Sequence, residues 1–334
     1  MVEPYPKPHL TYEEQVQKMQ ERGIQCSSER ALELVTRVGY YRLSAYVYPF
    51  RVLLPREEQC KVSPVHYRSE KIRSGTKLSH VEGLWQFDRR LRLLCLDALE
   101  TIEVALRTRV AYVLGRRDRF GHLNKSSLDS DACDQIPMKP GDMTRFELWI
   151  RRYGKLRDDA RREDYVVHHA AKHGDPLPVW VAVEFFDFGA LSTLFGLMDK
   201  ADQNEVAQHF GVSGGRLLAT WMRDLNYLRN LCAHHQRLWN RNLTYRAKKF
   251  NRTQVGPHLS HAASCGSRER IYVSLAVLAY LNRSVLPDST WHLEVRDLVK
   301  AFPSGTHLSP ERDMGFVPGW ADLALWNDLV PVAP

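Results

Sequence analysis

The stretch "SHVEGLWQFDRRLRLLCLDALETIEVALRTRVAYVLG", residues 79–115, decides the fold class. Its apolar residues recur at helical intervals, at Leu84, Leu91, Leu94, Cys95, Leu99, Ile102 and Leu106. Ser79 and Glu82 have the spacing of an N-terminal capping box, and Gly115 is a residue type that ends helices. At ~1.5 Å per residue, this helix would be about 50 Å long. The pattern therefore predicts one long helix that crosses a whole domain.

Segments on both sides of this helix also have helical periodicity, and no stretch shows convincing strand alternation. Pro55–Ser79 is polar and irregular, which indicates a loop or a short hairpin, and Arg116–Pro140 is polar and loop-like. The sequence therefore predicts an all-α protein. Changes in composition divide it into an N-terminal helical region (1–78), a helical core (79–252) and C-terminal helices with an irregular tail (253–334).

The composition excludes several classes of protein. Of 334 residues, 44% are hydrophobic and 26% are charged, which is typical of a soluble protein with a sizeable core. The longest apolar run, Ile271–Leu281, is far shorter than the ~20 residues that span a bilayer. The N-terminus shows no secretory signal, and the six cysteines are scattered without a C-x-x-C pair. We therefore expect reduced thiols, a cytoplasmic location and no membrane association.

The positive charge is concentrated in one segment. The chain carries a net charge of +8, and residues 207–252 contain nine lysines and arginines but a single acid, Asp224. This segment alone has a surplus equal to that of the whole chain. Such a cluster favours a polyanionic partner, most simply nucleic acid, although a solvated basic face would have the same composition.

The basic segment contains "NYLRNLCAHHQRLWNRN", residues 226–242. If the helix continues to its end, the polar residues form one stripe, made of Asn226, Asn230, His234, Arg237 and Arg241. Asn230 and His234 would then be close enough to hydrogen-bond, which would orient the imidazole. Arg229, five residues before His234, would lie about 140° away around a straight helix. Only the length of its side chain, or a distorted helix end, would bring Arg229 to the same site.

A histidine and an arginine together can cleave RNA without a metal ion. The histidine moves a proton, and the arginine binds the phosphate and stabilises the charge that develops on it. The 2′-hydroxyl then attacks the adjacent phosphate and leaves a 2′,3′-cyclic end. Residue types alone leave a second interpretation open, in which His234 and His235 are core or capping histidines and the arginines are surface charges.

Two levels of resemblance bear on this choice. "RNLCAHH" resembles the R-x(4–6)-H signature of HEPN domains, which often have a polar residue after the arginine. The wider pattern resembles the Abi family of bacteriophage-resistance proteins, of the AbiD/AbiF abortive-infection type. It is carried by "YEEQVQKMQERGI", "VGYYRLSAYVYPF", the long helix, "PLPVWVAVEFFDFGALSTLF", "RNLCAHHQRLWNR" and "IYVSLAVLAYLNRSVLP". These segments follow one another in order from about residue 12 to 290.

The resemblance implies a HEPN-like helical bundle with additional helices at both ends, assembled as a two-fold homodimer with a shared active site. It implies an endoribonuclease that needs neither metal nor cofactor and acts as a toxin-like effector of phage defence. A toxin–antitoxin pair or a structured non-coding RNA would control such an enzyme. Arg229 would grip the scissile phosphate, His234 would move the proton and Asn230 would orient His234. The alternative is a non-catalytic protein that holds a structured RNA.

Further residues are candidates for binding RNA. Arg237, Arg241, Lys248 and Lys249 would follow the RNA backbone. Arg107 and Arg109 could reach this site from the long helix, but Glu103 offers Arg107 an ordinary i, i+4 ion pair. Tyr40, Tyr41 and Arg42 could stack on bases or could simply pack in the core. The histidines of "HHAAKH", residues 168–173, lack further ligands, so we predict no metal site.

Overall fold

The computed structural model describes residues 8–60, 67–137, 142–244, 249–303 and 306–327. Helices account for most of this part of the chain, so the all-α prediction is confirmed. Two compact units are present, Met1–Arg90 with Lys300–Ser309 and Leu91–Val299 with Pro310–Pro334. The boundaries suggested by composition, at residues 78 and 252, stay predictions.

The N-terminal unit contains α1 (Tyr12–Glu21), α2 (Ser28–Val38), α3 (Tyr40–Val47), β1 (Arg51–Leu53), β2 (Arg68–Ile72) and the start of α4 (Leu78–Arg117). The second unit contains the rest of α4, then α5 (Ser130–Asp134), α6 (Arg145–Asp159), α7 (Asp164–His173), α8 (Val179–Ala182), α9 (Phe188–Phe195), α10 (Lys200–His209), α11 (Gly215–Ala233), α12 (Ile271–Val285), α13 (Trp291–Lys300), α14 (Pro310–Met314) and α15 (Ala324–Asn327). Short 3₁₀ turns connect several of these helices.

The N-terminal unit is built on local capping and one buried polar bond. Thr11 caps α1 and exchanges bonds with Glu14, which completes a capping box. The hydroxyl of Tyr46, on α3, donates to the buried carboxylate of Asp88, 2.6 Å away. β1 and β2 pair antiparallel in a short hairpin, but this hairpin begins before the segment predicted for it, because β1 precedes Pro55 and β2 alone lies within Pro55–Ser79.

The long helix exists, with ends that differ from the predicted ones. α4 begins at Leu78, so Ser79 is its second residue rather than its N-cap, and the ring nitrogen of His80 accepts the N–H of Lys77 instead. Gly115 does not end the helix, which continues to Arg117. A Cβ atom at Gly115 would lie 3.1 Å from side-chain atoms of both Val179 and Trp180. The glycine is therefore needed for close packing, not for a turn.

α12 is the centre of the second unit. Every residue from Ile271 to Arg283 is buried, as expected for a helix that is apolar on all sides and lies inside a protein. Among the residues with described positions, no helix is long and apolar enough to cross a membrane.

A buried histidine lies in an aromatic cluster of the second unit. His122 is fully buried, and its ring centroid lies 5.2 Å from that of Tyr153. The indole N–H of Trp149 donates to the backbone carbonyl of His122 at 2.6 Å. In the part of the chain described, neither ring nitrogen of His122 has a hydrogen-bond partner. Burial lowers the pKa of His122 to about 4, against a smaller opposing effect of Asp118.

We predict that this histidine makes the protein sensitive to acid. Above the ordinary histidine pKa of about 6.5, His122 is neutral in both the folded and the unfolded protein. Between that pH and about pH 4, the imidazole binds a proton in the unfolded chain but not in the folded one. The free energy of unfolding should therefore fall by about 3 kcal/mol between pH 7 and pH 4 from this group alone. Urea titrations at several pH values would measure it. His122→Phe should lack this part of the pH dependence, and an unchanged profile in that variant would contradict the assignment.

Candidate functional site

The site is built on α11, whose apolar face is buried, as the helical spacing of Leu228, Leu231 and Cys232 in the sequence predicts. Its buried residues include Leu218, Trp221, Leu225, Leu228 and Cys232, at the spacing of one helix face. This face packs against α9, α10 and α12. The motif arginine and asparagine therefore lie on the side of a helix that the core holds in place.

The end of α11 differs from the predicted continuous helix. Ala233 is its last residue, His234 is the C-cap, and His235 has a positive φ of 54°. The N–H of His235 donates to the carbonyl of Cys232 at 3.0 Å, and the N–H of Gln236 donates to that of Leu231 at 2.9 Å. These two bonds define a Schellman motif with a histidine at the left-handed position, where glycine is usual. The two histidines of the motif therefore form the turn that ends the helix.

Contacts inside the second unit hold this turn. The guanidinium of Arg92, which is 6% exposed on α4, donates to the carbonyl of Gln236 at 3.3 Å. Leu238 and Trp239 are fully buried just beyond the turn. Arg270 donates to the carbonyl of Asn240 at 2.6 Å. The chain must therefore leave the helix axis at His235, because the next residues are fixed in the core.

The predicted polar stripe is wrong beyond His234, since Arg237 and Arg241 follow the end of α11. Arg237 is half-buried in the segment after the turn. Arg241 folds back: it donates to the side chain of Gln236 at 3.0 Å and hydrogen-bonds the hydroxyl of Tyr227, on α11. Tertiary structure, not helical periodicity, brings Arg241 to the motif.

Arg229 and Asn230 line an open cavity of about 600 Å³, here called the motif cavity. Its other walls come from α6 and α9, and Asn226, Tyr227 and Arg223 of α11 complete it. Arg229 is half-buried, and across the described residues its guanidinium makes no hydrogen bond or ion pair. The positive charge of Arg229 acts on the carboxyl of Glu103: burial raises the pKa of that carboxyl, while Arg107 and Arg229 oppose the rise.

His234 is exposed, one helical turn beyond Asn230. Its N–H donates to the carbonyl of Asn230 at 3.0 Å. The side-chain bond predicted between these two residues is not formed in the structure, because His234 lies at the cap and only the backbone groups meet. The imidazole of His234 is consequently open to solvent and to a ligand.

Tyr227 is a site residue that sequence analysis missed. Burial alone raises the pKa of its phenol, but hydrogen bonds with Thr244 and Arg241 outweigh burial and lower the pKa overall. It lines the motif cavity beside Arg229 and Asn230. In the sequence, Tyr227 looks like one more aromatic residue of a core helix, so only the returning chain at 241–244 reveals its polar environment.

The arginines predicted to reach the site from α4 are paired with carboxylates. Arg107 donates to Glu103 at 2.5 Å and to the carbonyl of Phe186 at 2.5 Å. Arg109 lies 3.5 Å from Glu205 and stacks on Tyr112. The i, i+4 pair between Glu103 and Arg107, which the sequence left open, is thus formed. The charges of Arg107 and Arg229 both act to lower the pKa of Glu103, against the larger effect of burial. A role of these arginines in binding RNA stays a prediction.

The remaining candidates lie elsewhere or are outside the described residues. Tyr40 and Tyr41 begin α3 in the N-terminal unit; Tyr40 accepts a bond from Arg22 at 3.0 Å, while Tyr41 is 92% exposed. Arg42, the next residue, is also exposed. Lys249 is exposed after the motif, and Lys248 lies outside the described residues.

The histidines of "HHAAKH" are on α7, where the rings of His169 and His173 lie 5.0 Å apart. Within the ranges that the structure describes, no three His, Cys, Asp or Glu residues are placed to hold a metal ion.

Comparison with known proteins gave one match. A family model described as "Abi-like protein" matches residues 33–240, which include the long helix and the motif. No curated protein and no solved structure matches the chain.

We predict that the left-handed residue at the end of α11 costs stability that a glycine would restore. A non-glycine residue in this conformation costs roughly 1–2 kcal/mol of stability. Glycine removes that cost, but its greater freedom in the unfolded chain cancels about half of the improvement in the free energy of unfolding. His235→Gly should raise the free energy of unfolding by about 0.5–1 kcal/mol, and His235→Val should lower it by at least about 1 kcal/mol. Denaturant titrations would measure both. Equal destabilisation by the two changes would show that the imidazole, not the backbone, matters there.

Proposed function

The chain belongs to the Abi-like protein family, and on that premise we propose that it is an abortive-infection effector of phage defence that cleaves RNA. Membership of the family suggests the role in defence. The observation that carries the proposal of cleavage is the end of α11, where an unpaired Arg229 lines an open cavity and an exposed His234 forms the cap of the same helix.

The proposed reaction is an internal transfer at phosphorus. The 2′-hydroxyl oxygen bonds to the adjacent phosphorus while the bond from phosphorus to the 5′ oxygen breaks. His234 takes the proton of the 2′-hydroxyl, and the departing 5′ oxygen receives a proton from the imidazolium or from water. Arg229 binds the phosphate and stabilises the negative charge that grows on its oxygens. The products are a 2′,3′-cyclic phosphate and a 5′-hydroxyl.

The state of Arg229 supports this role. Arginines on α4 are held by carboxylates, as Arg107 is by Glu103 and Arg117 is by Asp202. Arg229 has no such partner among the described residues, although it is half-buried. A partly desolvated guanidinium with free donors binds a phosphate more strongly than one already paired in an ion pair.

The shape of the helix end supports the pairing of Arg229 with His234. They are five residues apart, about 140° around the helix, so in our proposal the long side chain of Arg229 brings its guanidinium to the phosphate, while His234 is exposed at the C-cap. Asn230 accepts the backbone N–H of His234, so in our proposal it positions the turn rather than the ring.

Assembly and control are further parts of the proposal. We expect a two-fold homodimer in which two motifs face one cleft, and a structured RNA or an antitoxin that keeps the enzyme inactive in healthy cells. Exposure of His234, His235 and Gln236 leaves the helix end accessible to a second copy or to RNA. The molar mass in solution, measured by light scattering with and without RNA, tests the dimer.

A non-catalytic RNA-binding protein is the second candidate, favoured by the number of arginines around the motif cavity. The two functions differ in what His234 does. In an enzyme, loss of the imidazole stops cleavage and leaves binding almost unchanged, whereas in a binder there are no new RNA ends to lose.

We predict that Arg229→Ala and His234→Ala each reduce cleavage by about 10²-fold to 10⁴-fold or abolish it. The test is expression of each chain in cells, with growth followed before and during phage infection and total RNA examined for 2′,3′-cyclic ends. Purified protein should make the same ends in the presence of EDTA. Arg151→Ala, an exposed change on α6, and His235→Gly, which keeps the turn, are the matched controls.

Three outcomes would contradict parts of this assignment. If activity survives in His234→Ala but is lost in His235→Gly, the histidine that transfers the proton is His235 and not His234. Loss in all four variants would indicate a folding defect, which circular dichroism would detect. A wild-type chain that retains one structured RNA during infection and makes no new ends would favour the non-catalytic candidate.

A further inference from the structure

The motif cavity continues into a second cavity along α11. The adjoining cavity has a volume of about 640 Å³ and shares Arg145, Ser192 and Arg223 with the motif cavity. It extends to Arg216, in the first turn of α11, and to Lys200, the first residue of α10. We call the two cavities together the basic groove.

Basic residues outnumber acidic ones in the groove. The basic residues are Arg145, Arg152, Lys200, Arg216, Arg223 and Arg229. The acidic residues are Asp129, Asp131 and Asp187. Two of the acids are already in ion pairs with groove residues: Arg152 lies 2.6 Å from Asp187 and Lys200 lies 3.6 Å from Asp129. Four arginines and one acid, Asp131, remain outside these two pairs, so the groove keeps a surplus of positive charge.

The three arginines of α11 differ from the arginines of α4 that are held by carboxylates. Across the described residues, the guanidinium groups of Arg216, Arg223 and Arg229 make no hydrogen bond or ion pair. Arg216, Arg223 and Asn230 are spaced seven residues apart, so they follow one face of the helix. From Arg216 to Asn230 this face is about 20 Å long, the length of about six nucleotides at the ~3.4 Å spacing of a stacked strand.

The opposite wall is formed by α9, which brings the arginines of α6 close to its backbone. A Cβ atom at Gly196 would lie 2.9 Å from Nη2 of Arg145, which donates to the carbonyl of Gly196 at 3.2 Å. A Cβ atom at Gly189 would lie 2.9 Å from Nη2 of Arg152. The two glycines therefore leave room for guanidinium groups along the wall. The groove is lined by positioned charges rather than by side chains that extend freely into solvent.

We propose that the basic groove binds a single-stranded segment of the RNA substrate and leads it to Arg229. This inference rests on the proposed function and names the form of its substrate. Each cavity has the volume of a site for a small ligand, which suits a few nucleotides of a single strand and not a duplex. Tyr227 provides an aromatic side chain beside Arg229 on which a base can stack. Arg216 and Arg223 bind phosphates at a distance from the bond that is cut.

The test measures binding separately from cleavage. The probe is a fluorescent oligouridylate with 2′-O-methyl groups, which has no 2′-hydroxyl to attack the phosphate. Its Kd is measured across a range of salt concentrations for the wild type, for Arg216→Gln with Arg223→Gln, and for Arg151→Gln as the control. All three positions are exposed, so we expect these proteins to fold.

We predict that the double variant binds the oligouridylate about tenfold more weakly or worse. The slope of log Kd against log salt should also fall by about 1.4, because each lost phosphate contact on a single strand contributes about 0.7. Arg151→Gln should bind as the wild type does. Unchanged affinity and slope in the double variant would overturn the proposal that the basic groove binds RNA, whether or not the wild type cleaves RNA.

Failure of the groove and failure of the ribonuclease can be told apart. If the double variant loses binding but the wild type never makes cyclic ends, the groove stands and the catalytic proposal fails. If an RNA duplex of the same length binds more tightly than the single strand and depends on the same two arginines, the single-stranded form of the proposal is wrong.

A second variant tests the placement of the arginines without removing any charge. Gly196→Ala would displace the guanidinium of Arg145, the end of a flexible side chain, and should weaken binding of the oligouridylate several-fold while the melting temperature changes little. Gly154→Ala, on the same helix as Arg145 and with open space around its Cβ position, is the control. If Gly196→Ala and the wild type bind the oligouridylate with equal affinity, Arg145 is not part of the binding surface.

Discussion

The turn that ends α11 at Ala233 is the constraint on which the site depends. Leu238 and Trp239 are fully buried a few residues later, and they could not reach the core if the helix continued. The chain therefore turns at His235 in a left-handed conformation, and Arg92 binds the carbonyl that follows. Because the turn is fixed from both sides, the C-cap imidazole of His234 is held outside the core. A structural requirement of packing thus produces an exposed histidine at the end of the helix that carries Arg229.

Four arginines of α4 are paired with carboxylates, whereas the arginines of α11 are not paired with any residue that the structure describes. Arg107, Arg109, Arg116 and Arg117 all lie on α4 and all face carboxylates. Such pairs contribute little stability at the surface, but they occupy the guanidinium donors. On α11 the arginines have no such partners among the described residues, and the helix contains a single acid, Asp224. Since an unpaired cation gains more from a phosphate than a paired one, the arginines of α11 are better suited to an anionic ligand than the paired arginines of α4.

The environment of α11 also separates the two candidate functions. A protein that only binds RNA needs the arginines of the basic groove but has no use for an exposed imidazole at the end of α11. A ribonuclease needs both, because charge stabilisation without proton transfer leaves the 2′-hydroxyl a poor nucleophile. Arg229 and His234 lie at the two sides of the helix end, and Tyr227 and Arg241 add a second polar pair nearby. This combination is the reason for favouring catalysis.

The sequence by itself determined the helical class, the long α4, the apolar frame of α11 and the concentration of positive charge, because periodicity and composition are local properties. It also identified Arg229, Asn230 and His234 as the motif. Only the tertiary structure decided where α11 ends, that Arg241 returns to Tyr227, and that Arg145 and Arg152 join Arg223 in one groove. Gly115 was predicted to end a helix, but it is a site of close approach, as are Gly189 and Gly196. These features depend on residues far apart in the chain, so no local pattern contains them.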